Sequence, residues 1–400
     1  MPRKKYPFPK DRQTILTRQR NLKMARSSHA NVRGNTLKFY EWLETGNGKA
    51  IPDGPAIWIG GDCHVGNLGP IANAKGKIDI QIRDLDHTVI GNPAHDLIRL
   101  GLSLASSARG SDLPGVTTAR MLEQMVEGYE QAFSDAKTGK HTEFEKPEAV
   151  KHALKDALRR KWKQLAEDRI EDTTPAIPLG KRFWPLTKEE KAEIKRIFST
   201  EQARRLVTSL RSRDDDAKVE VLDAAYWMKG CSSLGKLRYA VLLQMGGAKG
   251  ELCLVDIKEA VTPAAPYAAK AKMPKNNAER VVTGARHLSP YLGQRMIASN
   301  FDKKAVFLRE LLPQDLQLDI EQLMPNEAMR VAYYLAMVVG KAHARQMDEA
   351  TRKAWQMQLN QRRSKTLDAP SWLWSSVVDL LVSHEQAYLE HCRRYATGTS

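Results

Sequence analysis

Apolar positions along the chain change period several times, and each change marks an element. TLKFYEWL (36–43) has helical spacing. AIWIGG and then KIDIQIRDLDHTVIG, within residues 56–91, are rich in β-branched residues and alternate, which predicts two strands joined through a glycine-rich turn. PAHDLIRLGLSLASSA (93–108) returns to helical spacing with a proline at its start, and helix continues over 117–135. Residues 141–215 read as charge-dense helix with a proline-containing break at 173–186. VEVLDAAYWMKG, LRYAVLLQM and ELCLVDIKEAV, within 219–261, read as strands, the last two joined as a hairpin through Gly246, Gly247 and Gly250. VFLRELL (306–312) is a further strand, and from Glu327 the chain is helical nearly to its end, broken near Pro370. Strands, helices, strands, helices is an α+β order, without βαβ alternation or an internal repeat.

Composition narrows the classes. The 400 residues are 42% hydrophobic and 28% charged, an ordinary globular balance that excludes a wholly disordered chain. Lys and Arg number 63 against 47 acids, a net charge of +16. Residues 1–50 hold twelve of the basic residues and three acids. Such a field attracts nucleic acid, phosphorylated small molecules or acidic lipid, and the plain alternative is a solvated basic arm. No apolar run approaches the ~18 residues of a membrane span, and MPRKKYPFPKDRQ lacks the apolar region of a signal peptide. Four scattered cysteines without a CxxC fit a reduced compartment, so the expected location is cytoplasmic.

The densest chemistry lies in residues 57–97. GGDCHVGN (60–67) gathers Asp62, His64 and Asn67 on a loop, and RDLD (83–86) ends a strand with Asp84 and Asp86. Asp62, Asn67 and Asp84 together offer hard oxygen ligands and a base, suited to Mg²⁺ and a nucleotide phosphate; ordinary turn chemistry is the alternative. His64 and His87 with Asp62 and Asp84 could form a mononuclear metal site, but no third histidine stands at ligand spacing. Cys63 beside His64 lacks an orienting acid for a nucleophile pair. RRKWKQLAEDR (159–169) is a helical face with a nucleic-acid reading and a solvated one, and Trp355, Trp372 and Trp374 read as core packing.

GGDCHVGN followed by IRDLDHTVIGNPAHDLIRL resembles the catalytic loop of the aminoglycoside phosphotransferase and choline kinase branch of the protein-kinase-like fold, which reads HGDxHxxN, IDWE, GDPxxDLA. The resemblance implies a catalytic Asp62 that orients the acceptor hydroxyl, and Mg²⁺ on Asn67 and Asp84. It also implies an Asp96 that braces the loop through backbone N–H groups, with His64 and Asp86 as structural support. Gly60 replaces the motif's first histidine. The phosphate-cradling turn and strand lysine, which normally precede this loop, follow it here: Gly230, Ser232, Ser233 and Gly235, then Lys258, with Glu279 as its candidate helix partner.

The resemblance therefore implies a circularly permuted two-lobe kinase-like fold. A basic N-terminal arm and helix (1–50) lead into the catalytic-loop part of the C-lobe (51–140). A helical insertion (141–215) and the N-lobe (216–325) follow, and C-terminal helices (326–400) complete the C-lobe. Helix 333–346 then packs beside loop 60–67, strands 221–258 form one antiparallel sheet apart from a hairpin at 78–90, and Lys258 lies about 4–10 Å from Asp84.

The whole pattern also resembles a bacterial family, domain of unknown function 2252. The shared motifs are KMARSSHANVRGN (23–35), GDCHVGNLG (61–69), RDLDHT (83–88), DLIRLGLSL (96–104), GCSSLGKLRYAVLL (230–243) and IKEA (257–260). Ser232 and His87 depart from its usual residues. The expected function is a Mg²⁺- and ATP-dependent phosphotransferase acting on an unidentified hydroxyl acceptor, with an anionic compound among the candidates. The alternatives are a nucleotidyl transferase, a non-catalytic nucleotide-binding protein and, less favoured, a basic nucleic-acid binder.

Overall fold

The structure is a computed structural model that describes residues 6–45, 51–138, 145–160, 176–209, 213–214, 216–230, 234–247, 250–316, 318, 324–360 and 369–395. Its strands are β1 (Ile57–Ile59), β2 (Leu68–Ala72), β3 (Ile78–Ile82), β4 (Val89–Gly91), β5 (Phe183–Trp184), β6 (Val219–Trp227), β7 (Arg238–Met245), β8 (Glu251–Glu259), β9 (Met296–Phe301) and β10 (Lys304–Leu311). The alternation in residues 219–261 is realised as three strands of one sheet, ordered β5-β6-β7-β8-β10-β9 with every neighbouring pair antiparallel. β9 has no counterpart in the sequence reading, because its Ala-Ser-Asn middle hides the apolar period.

The two faces of this sheet have different covers. Tyr239, Val241, Leu243, Val255, Ile257, Val306 and Leu308 pack under the helices Lys188–Phe198 and Glu201–Thr208. Residues 188–208 of the charge-dense stretch are thus an amphipathic cover: Ile194, Ile197, Leu206 and Val207 are buried, while Val150 and Ala153 of the earlier part join the larger core. A Thr187/Glu190 capping box starts the first of these helices. The opposite sheet face, set by the period of two and the register, carries Arg238, Asp256, Lys258, Phe307 and Arg309.

The N-terminal basic segment is docked rather than a solvated arm. Helix Pro9–Met24 buries Leu16 in the same core as the two covering helices. Its Arg12 donates to Glu190 at 2.6 Å and to the Pro185 carbonyl at 2.9 Å.

The larger core joins helices Ala94–Gly110, Gly115–Thr138, Pro325–Ala344 and Ser371–Tyr395 to the short strands. The two strands expected to pair with each other take other partners. β1 pairs with β4 (Trp58 opposite Ile90), and β3 pairs with β2 (Leu68 opposite Ile82), so the hairpin spans 68–82 rather than 78–90. The loop after β1 runs straight into β2, which is the nearer partner in sequence. Helix Glu148–Arg159 ends where the Trp-containing basic stretch (159–169) begins, and residues 161–169 of that stretch lie outside the described residues. Trp355 and Trp372 are buried and Trp374 packs partly against them in this core. No helix among the described residues is long and apolar enough to cross a membrane.

Candidate active site

The β2–β3 hairpin brings two of the chemical groups together. Asn67 and Arg83 lie at its open end, where the Arg83 N–H donates to the Asn67 carbonyl at 2.7 Å, so Asp84 begins beside Asn67. The Asn67 amide nitrogen donates to the Asp62 carbonyl at 2.9 Å, which leaves Oδ1 as the side chain's acceptor for a ligand. An amide oxygen and the half-exposed Asp84 carboxylate, both lining one cleft, are the hard-oxygen donor set that Mg²⁺ takes when phosphate oxygens and water complete its shell. Among the described residues no group of three or more His, Cys, Asp or Glu side chains is arranged to hold a metal, so the mononuclear histidine site is not formed.

The loop before Asn67 is fastened from behind. Asp96, fully buried at the start of helix Ala94–Gly110, accepts from the N–H groups of Gly60 (2.7 Å) and Gly61 (2.9 Å). Its Oδ2 lies 3.2 Å from His343 Nε2, on helix Pro325–Ala344. The chain continues from His343 Nδ1 to the Tyr129 hydroxyl (2.8 Å), which also accepts from Trp355 Nε1 (3.1 Å). Gly61 has φ of +72°, and a Cβ there would collide with the His87 carbonyl. Gln346, just past that helix, bonds both the N–H and the carbonyl of Trp58 in β1.

Asp62 is set back from the cleft and is not among the residues lining it. Arg99 Nε donates to Asp62 Oδ1 at 2.8 Å, and Arg99 also reaches the Val32 carbonyl at 2.6 Å. Burial pushes the Asp62 carboxyl up, but the Arg99 guanidinium outweighs it and holds the group below the usual carboxylate range. His64 does line the cleft. Burial lowers it to about 3, so it is neutral near pH 7, with Nδ1 unpartnered among the described residues and Nε2 3.9 Å from Asp62.

The sheet supplies the other wall. Lys258 Nζ lies 3.2 Å from Asp84 and 2.7 Å from Asp86. Burial disfavours its charge, yet the two carboxylates raise it above the ordinary lysine value. For Asp84, burial works upward and Lys258 pulls it far below the ordinary range. Behind this pair, the fully buried Asp256 accepts from Arg238 at 2.8 and 2.5 Å and from Arg309 at 3.1 Å. Glu279 does not meet Lys258. It is exposed in the first turn of helix Asn277–Leu288, and Arg280 is the residue that turns inward, donating to the carbonyls of Asp86 (3.0 Å), Val261 (2.9 Å) and Thr88. Gly230 and Gly235 flank the turn after β6 with φ of +89° and +95°; Ser232 and Ser233 lie outside the described residues.

Between the walls is a cleft of about 390 Å³. Lys23, Arg26, Arg33, Arg83, Lys229, Arg238, Lys258 and Arg309 line it, against one carboxylate, Asp84. Arg33 lies flat on the loop: a Cβ at Gly66 would stand 2.5 Å from its Nη2. Lys23 crosses to the sheet side and donates to the Gly230 carbonyl at 3.1 Å. Arg83 is lowered to about 10 by burial and then by neighbouring Arg309, with Arg33 adding in the same direction. Sequence reasoning missed Arg99, Arg238 and Arg33 as site residues. Arg99 and Arg33 stand in the DLIRLGLSL and KMARSSHANVRGN motifs, and an arginine on the inward face of a helix beside Asp96 was the available signal.

No curated protein and no solved structure matches the chain. A family profile covers residues 12–394, nearly the whole chain: this protein belongs to the bacterial family described as "Uncharacterized protein conserved in bacteria (DUF2252)".

Proposed function

We propose that the protein is a Mg²⁺- and ATP-dependent phosphotransferase of circularly permuted, kinase-like architecture. The observation that carries the reading is the meeting of Lys258 with Asp84, 3.2 Å apart across the cleft from positions 174 residues apart. The sheet order supports it: a glycine turn joins the first two of its long strands, the lysine sits on the third, and a helix links the third to the fourth. Those are the parts that hold a triphosphate in kinases. The Asp96 brace and the Asn67-to-Asp62 hydrogen bond give the loop the rigidity such a site needs.

Asp84 and Asn67 would hold Mg²⁺, and Lys258 with the glycine turn would hold the phosphates. The bound metal–nucleotide pair would supply the transferable phosphoryl group and neutralise charge that develops on it. Lys258 leaves its Asp84 partner when a phosphate takes the ammonium, and that exchange frees the carboxylate. Asp62, kept ionised by Arg99, orients the acceptor hydroxyl; reaching it requires a local shift of the loop that carries it, since the carboxylate stands back from the cleft.

Thermal shift and turnover over a metabolite panel test this. Asp84→Asn removes Mg²⁺-dependent ATP stabilisation, because an amide is a weak neutral ligand. Asp62→Asn keeps ATP binding and lowers turnover by about 10²-fold or more. Equal ATP·Mg²⁺ stabilisation in wild type and Asp84→Asn refutes the metal assignment. The mass gained by a modified acceptor separates phosphoryl from nucleotidyl transfer.

A further inference from the structure

We propose that the cleft contains a second anion subsite, built by the N-terminal helices Pro9–Met24 and Ser28–Gly34, the turn between them and the end of β3, which recognises the phosphate group of a small phosphorylated hydroxyl compound. The subsite stands on its own geometry; that its occupant is the acceptor rests on the phosphotransferase reading above.

Charge sets the argument. Lys258 is matched by Asp84 and Asp86, and Arg238 and Arg309 share Asp256. Lys23 and Arg26 have no carboxylate partner among the described residues, and Arg83 forms no direct ion pair there, although Asp315 and Asp84 act on it at longer range. Lys23 donates to a carbonyl, Arg83 reaches the Asp315 carbonyl at 3.4 Å, and its Nε is buried with no partner. A Mg²⁺-bound triphosphate keeps roughly two negative charges, and Lys258 and the glycine turn face it. A basic wall of this extent beyond those groups is costly to hold together without another anion.

Position puts this anion on the loop side of the cleft, beside Asn67 and opposite Lys258. Arg33 sits on Gly66, one residue before Asn67, on the loop that carries Asp62. An anion held there lies on the side where an acceptor must present its hydroxyl. Planar guanidiniums with an ammonium beside them suit a dianion with several acceptor oxygens better than a single carboxylate. The cleft volume, about 390 Å³, is at the small end of the ~300–1,000 Å³ range of small-molecule sites, which favours a metabolite over a polymer.

The test is calorimetric titration of the full chain with inorganic phosphate, at constant ionic strength, with and without saturating Mg²⁺ and a non-hydrolysable ATP analogue. Phosphate should bind with the analogue in place, and acetate about tenfold more weakly or less. Arg33→Gln and Arg26→Gln should each weaken phosphate by about tenfold while changing analogue affinity by no more than about twofold. Arg26 is exposed, so its substitution leaves the core untouched even if Arg33→Gln perturbs the loop. Displacement of phosphate by the analogue, or unchanged phosphate affinity in both variants, overturns the proposal. If wild type binds phosphate through these arginines but never the analogue, the subsite stands and the phosphotransferase reading falls.

Discussion

The two walls of the cleft are held in different ways. The loop wall hangs on a buried hydrogen-bonded chain that runs from Trp355 through Tyr129 and His343 to Asp96 and the Gly60 and Gly61 amides. None of these partners needs anything in the cleft. The sheet wall is a set of ion pairs whose cations line the cleft: Lys258 answers to Asp84 and Asp86, and Arg238 and Arg309 answer to the fully buried Asp256 behind them. Its charge balance changes with whatever the cleft contains. One wall is therefore preorganised and the other responsive, a division suited to a site that must hold a reacting group still while admitting and releasing a charged ligand.

Removing the anchor of the preorganised wall should have the largest effect. Asp96→Ala leaves two backbone amides and His343 without their acceptor in a fully buried place. It should cost about 3–5 kcal/mol, read as a fall in the urea midpoint. Asp256→Ala on the responsive wall should cost less, about 2 kcal/mol, because Arg238 and Arg309 line the cleft and can turn to its water. Equal losses at the two sites would erase the distinction between the walls.

A pH series sharpens it further. Burial lowers His64 and His384 to about 3 and His29 to about 4, while each would titrate near its ordinary value of 6.5 in the unfolded chain. Below pH 6.5 the unfolded state binds protons that the folded state refuses. The stability from neutral burial is thus complete above pH 6.5 and is lost as pH falls, down to about 4 for His29 and about 3 for His64 and His384, by at most about 1.4 kcal/mol per pH unit for each histidine. The depressed Asp62 and Asp256 act lower, their contribution present above the ordinary carboxylate value and lost in stronger acid. His384→Leu should flatten the pH 6.5–4.5 slope measured in urea melts; an unchanged slope would remove His384 from the account.

The sequence was legible where one period governed one face. β6, β7 and β8 alternate cleanly, and helix 93–108 shows its stripe, so both were found close to their observed limits. Strand partners were less legible than strands: nothing local says that Ile57–Ile59 lies against Val89–Gly91, a pairing fixed by the hairpin folded between them. Buried arginines were the main blind spot. Arg99, Arg280 and Arg295 are almost fully buried, yet a lone arginine in an amphipathic helix, as for the first two, or in a turn, as for the third, reads as surface. Their satisfaction comes from carbonyls and carboxylates far away in sequence, as in the Arg295 bonds to Ala72, Glu310 and Asp315. The N-terminal basic segment was ambiguous for a related reason, since Leu16 alone hardly announces that the helix is docked.

The smallest expected effect concerns the lysine's partner. A kinase-like reading looks for a glutamate on the helix between the third and fourth strands, and Glu279 is the residue that sequence order offers. In the structure that helix is fixed by Arg280, which grips the backbone of the 86–88 turn, while Glu279 points to solvent. Lys258 finds its carboxylates on the loop wall instead, at Asp84 and Asp86. Glu279→Gln should therefore change stability by no more than about 0.5 kcal/mol and leave ATP affinity as it is. Asp86→Asn should do more on both counts, because Asp86 is buried and meets Lys258 at 2.7 Å. Its loss unsettles the lysine even while Asp84 remains. If calorimetry found Glu279→Gln as damaging as Asp86→Asn, the helix would have to swing inward when nucleotide binds, and the responsive wall would extend beyond the sheet to include it.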